Sequence, residues 1–486
     1  MSYSIDSLEP KAVWQYFDRM RQIPHASKKE EELAKAIISW AKEAGCETDR
    51  DEVGNVLIRI PASPGHEKAP VIILQGHIDM VCEKNTDTEF DFDTDPIVLV
   101  RDGDWIHADG TTLGADNGIG VATALAFMDS PDAVHGPLEV LLTVDEETGL
   151  NGARGLEAGF VSGRMLFNLD SEEDGYFYVG CAGGRDSNLS LPLDRTGAPA
   201  GTDAWTLTVK GLRGGHSGQD IVHNRGNAIR LAARTLRAMR AEAPIEVVSI
   251  DGGDKHNAIP REATATFVAK PEEKAKLEAV LAAQLEGYRD EFASAEPGLT
   301  AELTPADRPA QVLAPASRDA VLRLVLGMPN GVLAMMRDMP GKVETSSNLA
   351  RVRTEEDALT VLASTRSSIA SAIDGVLAQI ESIGLAVGAQ VVFGEGYPGW
   401  KPNLESPMLG KAKETWVRVH GEEPRIEVIH AGLECGIIGE KIPGIDMISL
   451  GPTIENPHSP DERVHIESVE RFFTFVKAFL EAMAKA

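Results

Sequence analysis

Cysteine is scarce in this chain of 486 residues: Cys46, Cys82, Cys181 and Cys435 are the only four, and no two stand in a CxxC spacing. That scatter excludes a disulfide framework or a cysteine zinc finger and suits reduced thiols in a cytoplasmic protein. Basic residues also fall short. Lys and Arg total 47 against 75 Asp and Glu, a formal net charge of −28. Nucleic acid and anionic membranes reward positive surface, so neither is expected as a partner. No apolar run approaches the ~20 residues of a membrane span. The first eleven residues lack the basic and apolar stretches of a signal peptide. What is present is a globular mix, 43% hydrophobic and 25% charged, over a length that predicts two or three domains.

Helical and strand patterns alternate through about residue 180. Residues 11–23 have helical periodicity, and residues 27–44 read as a helix opened by a capping box (Ser27 with Glu30) and closed by Gly45. Short strands are predicted at 55–60, 71–75, 138–144 and 165–169, with a small-residue helix at 117–128. This alternation predicts an α/β domain whose sheet is mostly parallel and flanked by helices. A Gly-rich segment at 180–184 interrupts it. Beyond it, strands at 204–210, 245–250, 263–269 and 359–364 and helices at 224–241, 272–289 and 367–383 read as a separate α+β domain. A second Gly-rich break, 394–400, returns the chain to α/β alternation. The expected organisation is a discontinuous domain of residues 1–184 and 394–486 interrupted by an insert of residues 185–393.

The informative side chains are acids and histidines at strand ends. The strand at 71–75 runs out into His77 and Asp79, whose side chains share one face, so Asp79 can orient the ring. A Gly-rich loop delivers Asp116 where a helix begins, a place where Asp is most simply an N-cap. The strand at 138–144 ends in Asp145, Glu146 and Glu147, and the strand at 165–169 ends in Asp170. His458 stands between Pro457 and Pro460 in a stiff loop. Singly, these read as caps, turns and solvated acids. Jointly, His77, Asp116, Glu146, Glu147 and Asp170 reach the C-terminal edge of one sheet, where open α/β folds bind ligands. Converging carboxylates repel unless cations neutralise them, and His nitrogens with carboxylate oxygens suit Zn²⁺ or similar ions.

These residues resemble a known family. The His77-Ile78-Asp79 strand, the Gly114-Ala115-Asp116-Asn117-Gly118 loop, the Glu146-Glu147 pair, Asp170 and the Pro457-His458-Ser459-Pro460-Asp461-Glu462 loop are similar to those of the dinuclear metallopeptidases that include carnosinase, aminoacylase and carboxypeptidase G. Residues 180–184, 214–218 and 430–436 extend the resemblance over essentially the whole chain, towards the family's dipeptidases. It implies two divalent metal ions, Zn²⁺ first and Co²⁺ or Mn²⁺ as alternatives. One would be bound by His77 and Asp170 and the other by Glu147 and His458, with Asp116 bridging. Glu146 would be the general base and Asp79 would steer His77. The insert would be a lid in which His216 binds the developing oxyanion, Arg366 pairs with the substrate carboxylate, Asn257 lines the pocket and the loop at Gly432 closes over the substrate.

The implied activity is hydrolysis of unblocked dipeptides, Xaa-His among them, by a metal-activated water. A homodimer through the lid is also implied. Two rivals stand beside it: an amidohydrolase acting on N-acyl amino acids, and a non-catalytic metal-binding protein, against which the spare carboxylate Glu146 speaks. Asn257 has an alternative reading as a turn residue, Arg366 as an exposed strand-end Arg and His216 as a flexible-loop His. His465 competes with His458 as a ligand.

Overall fold

A computed structural model describes residue 5 and residues 7–486. Part of the segment read for a signal peptide, residues 1–4 and 6, lies outside the described residues. The chain divides into two compact units. The first comprises Met1–Cys181, Trp400–Val428 and Leu433–Ala486, and the second comprises Ala182–Gly399 and Ile429–Gly432. The second Gly-rich break through Gly399, and the short segment at 429–432, therefore belong with the insert rather than with the outer domain.

The first unit is built on an eight-stranded sheet. Its centre is four parallel strands in the order Leu138–Thr143, Ile72–His77, Met165–Asn168 and Asp446–Ser449. Both faces are covered, so these strands read as nearly unbroken apolar runs. The flanks differ from the parallel expectation: Glu47–Arg50 and Val56–Ile60 form an antiparallel hairpin against Leu138–Thr143, and Tyr176–Cys181 runs antiparallel to Asp446–Ser449. The five residues between Glu47–Arg50 and Val56–Ile60 are too few for the crossover a parallel pair needs, and the sheet is mixed. The C-terminal helix, Ile466–Ala484, brings Phe475 and Phe479 onto Phe167, and Phe475 also meets Phe177 and Trp416.

Three details depart from the sequence reading. The helix after Ser27 begins at Glu31 with Glu30 as its cap residue, so no capping box forms. Ser27 instead donates to Asp79 Oδ2 at 2.8 Å. The helix predicted at 117–128 is Ala115–Ala126, its cap residue is Gly114, and Asp116 lies inside with non-helical backbone angles. Asp116 is thus no N-cap, which leaves its carboxylate for other partners. Glycine lets this helix approach the sheet closely: a Cβ on Gly76 would lie 2.2 Å from Asn117 Oδ1, and one on Gly120 would lie 2.2 Å from the Leu169 carbonyl oxygen.

The second unit is an antiparallel sheet, with Arg366 on the strand Ala358–Ser367 between Val343–Thr354 and Gly183–Pro192. Helices Ala228–Glu242, Lys274–Phe292, Pro315–Gly327 and Ala370–Ala386 bury Leu231, Leu236, Leu277, Val321 and Ile380 in one apolar core with the strand residues Leu207, Phe267 and Leu349. Among the described residues no helix is long and apolar enough to cross a membrane.

The glycine contacts generate a test. Gly120→Ala forces a methyl onto a backbone carbonyl, so urea denaturation is expected to show a loss of about 1–3 kcal/mol. An unchanged midpoint would contradict the close approach.

Candidate metal centre

Parallel strands deliver the site. Ile72–His77, Leu138–Thr143 and Met165–Asn168 run out into His77, Glu146–Glu147 and Asp170, side by side at one edge. Asp116 is the hub. Its Oδ1 lies 3.2 Å from His77 Nε2 and its Oδ2 lies 3.1 Å from His458 Nε2. His77 Nε2 is also 3.2 Å from Asp170 Oδ1, and His458 Nε2 is 3.0 Å from Glu147 Oε1. Each imidazole nitrogen therefore faces two carboxylates, in two groups that share Asp116. Glu146 joins His77 and Glu147 in a third group whose candidate ligand atoms lie within 4.8 Å of one another. His465 is elsewhere, edge-on to the Trp105 ring at 4.9 Å.

The donor set fits divalent ions. Glu147 Oε1 and Asp170 Oδ1 are buried with no hydrogen-bond partner among the described residues. Orphaned carboxylate oxygens beside imidazole nitrogens are costly unless a cation completes them. Burial would lower the pKa of His77, but Asp170, Asp116 and Asp79 outweigh it and raise it well above the usual value. The facing carboxylates of Asp116 and Glu147 raise His458 to about 11. Burial lifts Asp170 to about 7 against the pull of His77. Glu146 is raised well above its ordinary value, chiefly by burial; His77 opposes this, and Asp170, Glu434 and Glu147 add to it.

Backbone amides hold these charges in place. Asp79 Oδ1 accepts from Glu146 N at 3.0 Å and Oδ2 from Glu147 N at 3.2 Å, while Oδ1 lies 3.3 Å from His77 Nδ1. One carboxylate thus orients the His77 ring and anchors the acidic turn. Burial opposes its ionisation, yet His77 and these donors hold its pKa down at about 2. Asp145 turns the chain there with φ 51°.

Sequence reasoning missed several supports. Buried Glu462 accepts from four consecutive amides, Leu113, Gly114, Ala115 and Asp116, at 2.7 to 3.2 Å. It fixes the loop that carries Asp116 and follows His458 by four residues. Below the ligands a buried polar row crosses the sheet: Ser449 donates to Asn168, Asn168 to Gln75, and Gln75 to Glu434 Oε2. Glu462 and Glu434 sit inside the motifs at 457–462 and 430–436, and that adjacency was the only signal for them.

The second unit carries the other expected residues. His216 N donates to Asp220 Oδ2 at 2.8 Å, and Arg225 pairs with the same Asp at 2.9 Å, so the loop is braced rather than loose. Arg366 is 5% exposed, which excludes the exposed strand-end reading, and its Nη1 donates to Tyr397 Oη at 2.6 Å. Exposed Asn257 meets the His216 loop through its carbonyl, which accepts from Ser217 N at 2.7 Å. A Cβ on Gly432 would lie 2.8 Å from Tyr397 Cε2.

A mixed α/β sheet with paired His and carboxylate donors at its parallel edge defines a metal-dependent hydrolase class. Residues 73–482 match Peptidase family M20/M25/M40, and the chain belongs to that family of peptide hydrolases. It is 43% identical over 477 residues to the cytosol non-specific dipeptidase of Escherichia coli (strain K12), covering 98% of each chain. The crystal structure of aminoacylhistidine dipeptidase from Vibrio alginolyticus superposes with a TM-score of 0.95 at 45% identity, over 99% of this chain and 98% of that one. Aminopeptidase PepT from Bacillus cereus shares the fold, with a TM-score of 0.59 at 17% identity over 98% of this chain and 99% of that one.

Two measurements check the centre. Glu462→Ala orphans four amides and is expected to lower stability by about 3 kcal/mol or more, read by urea denaturation. Cation binding must displace the protons on His458 and Asp170, so Zn²⁺ affinity is expected to rise from pH 6 to pH 8. Calorimetry in buffers of different ionisation enthalpy should then register net proton release; buffer-independent heats would contradict this.

Proposed function

We propose that the protein is a metal-dependent dipeptidase that cleaves unblocked dipeptides, Xaa-His among them. The observation that carries the reading is Asp116 facing one histidine with each carboxylate oxygen, with Glu146 beside them. His77 with Asp170, and Glu147 with His458, would hold two divalent ions (Zn²⁺, Co²⁺ or Mn²⁺) bridged by Asp116. Bound there, such ions would supply a water acidified towards neutrality and polarise the scissile carbonyl.

The chain's own residues do the rest. Glu146 takes the proton of the attacking water and later delivers it to the departing amine. Burial raises its pKa, which favours keeping the proton it has taken until the amine leaves. Asp79 keeps the His77 ring oriented throughout.

His216 is suited to the oxyanion. The amides of Gly218 and Gln219 donate to its Nδ1 at 3.2 and 3.1 Å, so that nitrogen carries a lone pair and the proton resides on Nε2. Burial and the nearby Arg366 lower its pKa, favouring this neutral N–H donor. Losing one such donor typically costs about 10²–10³ in rate. Arg366 would pair with the free carboxylate of the substrate, and Asn257 and the loop at Gly432 would complete its pocket.

Two coarser expectations belong here. The four cysteines are free, which supports a cytoplasmic location. A homodimer through the inserted unit would have the strand Gly331–Met335, with exposed Leu333 and Met335, as its contact.

The deciding experiment is a panel of dipeptides, tripeptides and N-acetyl amino acids run with and without a chelator. Dipeptides are expected to be cleaved, and chelation to abolish turnover until metal is restored. Preference for N-acetyl amino acids would establish the amidohydrolase instead. Glu146→Ala should keep its metal and lose activity by about 10²–10⁴; unchanged turnover would end the mechanism.

A further inference from the structure

Arg366 is a buried guanidinium; its charge reaches Asp186, whose pKa it helps to lower, but no carboxylate among the described residues lies against it as a close ion pair. Its Nε is buried and has no hydrogen-bond partner. An arrangement that leaves a buried cation incomplete is expensive unless an anion arrives to complete it. The contact that fixes the guanidinium is the one from Nη1 to Tyr397 Oη at 2.6 Å.

Tyr397 is itself tightly held. Its amide donates to the Gly184 carbonyl at 2.9 Å, and its carbonyl accepts from Gly184 N at 3.0 Å. The ring meets backbone that has no side chain at two places: a Cβ on Gly184 would lie 2.7 Å from Oη, and one on Gly432 would lie 2.8 Å from Cε2. The segment bearing Gly432 is tethered in turn, through a hydrogen bond of 2.8 Å between His430 Nε2 and Ser346 Oγ. The phenol oxygen therefore occupies a fixed point, and the two glycines are there because the ring fills the space their side chains would take.

With Nη1 engaged, the guanidinium keeps its Nε–Nη2 edge for a ligand. That edge matches the two oxygens of a carboxylate. We propose that Tyr397 is a positioning residue that sets substrate specificity: by holding Nη1 it presents the Nε–Nη2 edge of Arg366 to the free C-terminal carboxylate of the dipeptide. This rests on the reading of Arg366 as the carboxylate partner. It adds that the preference for an unblocked C-terminus depends on a phenol hydroxyl from the segment following the strand Gln390–Phe393.

The test compares a dipeptide with its C-terminal amide on the metal-loaded enzyme, for the wild type, Tyr397→Phe and Arg366→Ala. Tyr397→Phe is expected to keep its metal content and thermal midpoint and to raise KM for the dipeptide about tenfold, with kcat within about twofold. The amide should be nearly unaffected, so the dipeptide-over-amide preference falls by about the same factor. Arg366→Ala should abolish the preference. If Arg366→Ala abolishes it while Tyr397→Phe keeps the wild-type ratio, the role of Tyr397 is overturned and the carboxylate reading stands. If Arg366→Ala itself keeps the ratio, the carboxylate reading fails and takes this inference with it. Equal losses on both substrates, with a lowered midpoint, would show that the hydroxyl serves only the packing.

Discussion

Like-charge repulsion is the constraint around which the first unit is built. Asp116, Glu147 and Asp170 crowd two imidazoles, with Glu434 close enough to add to the raised pKa of Glu146. No apolar packing offsets so much buried negative charge. Amide dipoles and imidazolium protons balance it instead: four N–H groups on Glu462, two on Asp79, and protonated His77 and His458 between the acids. A divalent ion does the same job with more charge in less space.

Rigidity follows from the same need. His77, Glu147 and Asp170 sit at or just beyond strand ends, and the buried row of Ser449, Asn168, Gln75 and Glu434 ties the strands together one step below them. Gly76 and Gly120 bring the helix bearing Asp116 almost into backbone contact with that layer. A hub that must meet two histidines at once tolerates little displacement.

Much of this was legible in the sequence because parallel strands impose order on their C-terminal ends. Apolar runs ending in His77, Glu146 and Asp170 can only place those residues on one edge, and the two prolines around His458 mark a stiff loop. The supports were harder to see. Glu462 and Glu434 act across hundreds of residues of chain, and no local spacing encodes a carboxylate that collects distant amides. Ser27 misled for a related reason: its spacing to Glu30 fits a capping box, yet the tertiary partner Asp79 wins its hydroxyl. The antiparallel flanks were missed because short apolar strands look alike whichever way they run.

The bond from Asp116 N to Glu462 spans 346 positions, and the whole insert lies between its ends. On the ribosome, His77, Asp116, Glu147 and Asp170 emerge long before His458 and Glu462 do. The acidic half of the nest is therefore made before the second unit, and its remaining partners after it. Bringing all of these side chains together waits until His458 and Glu462 have been made.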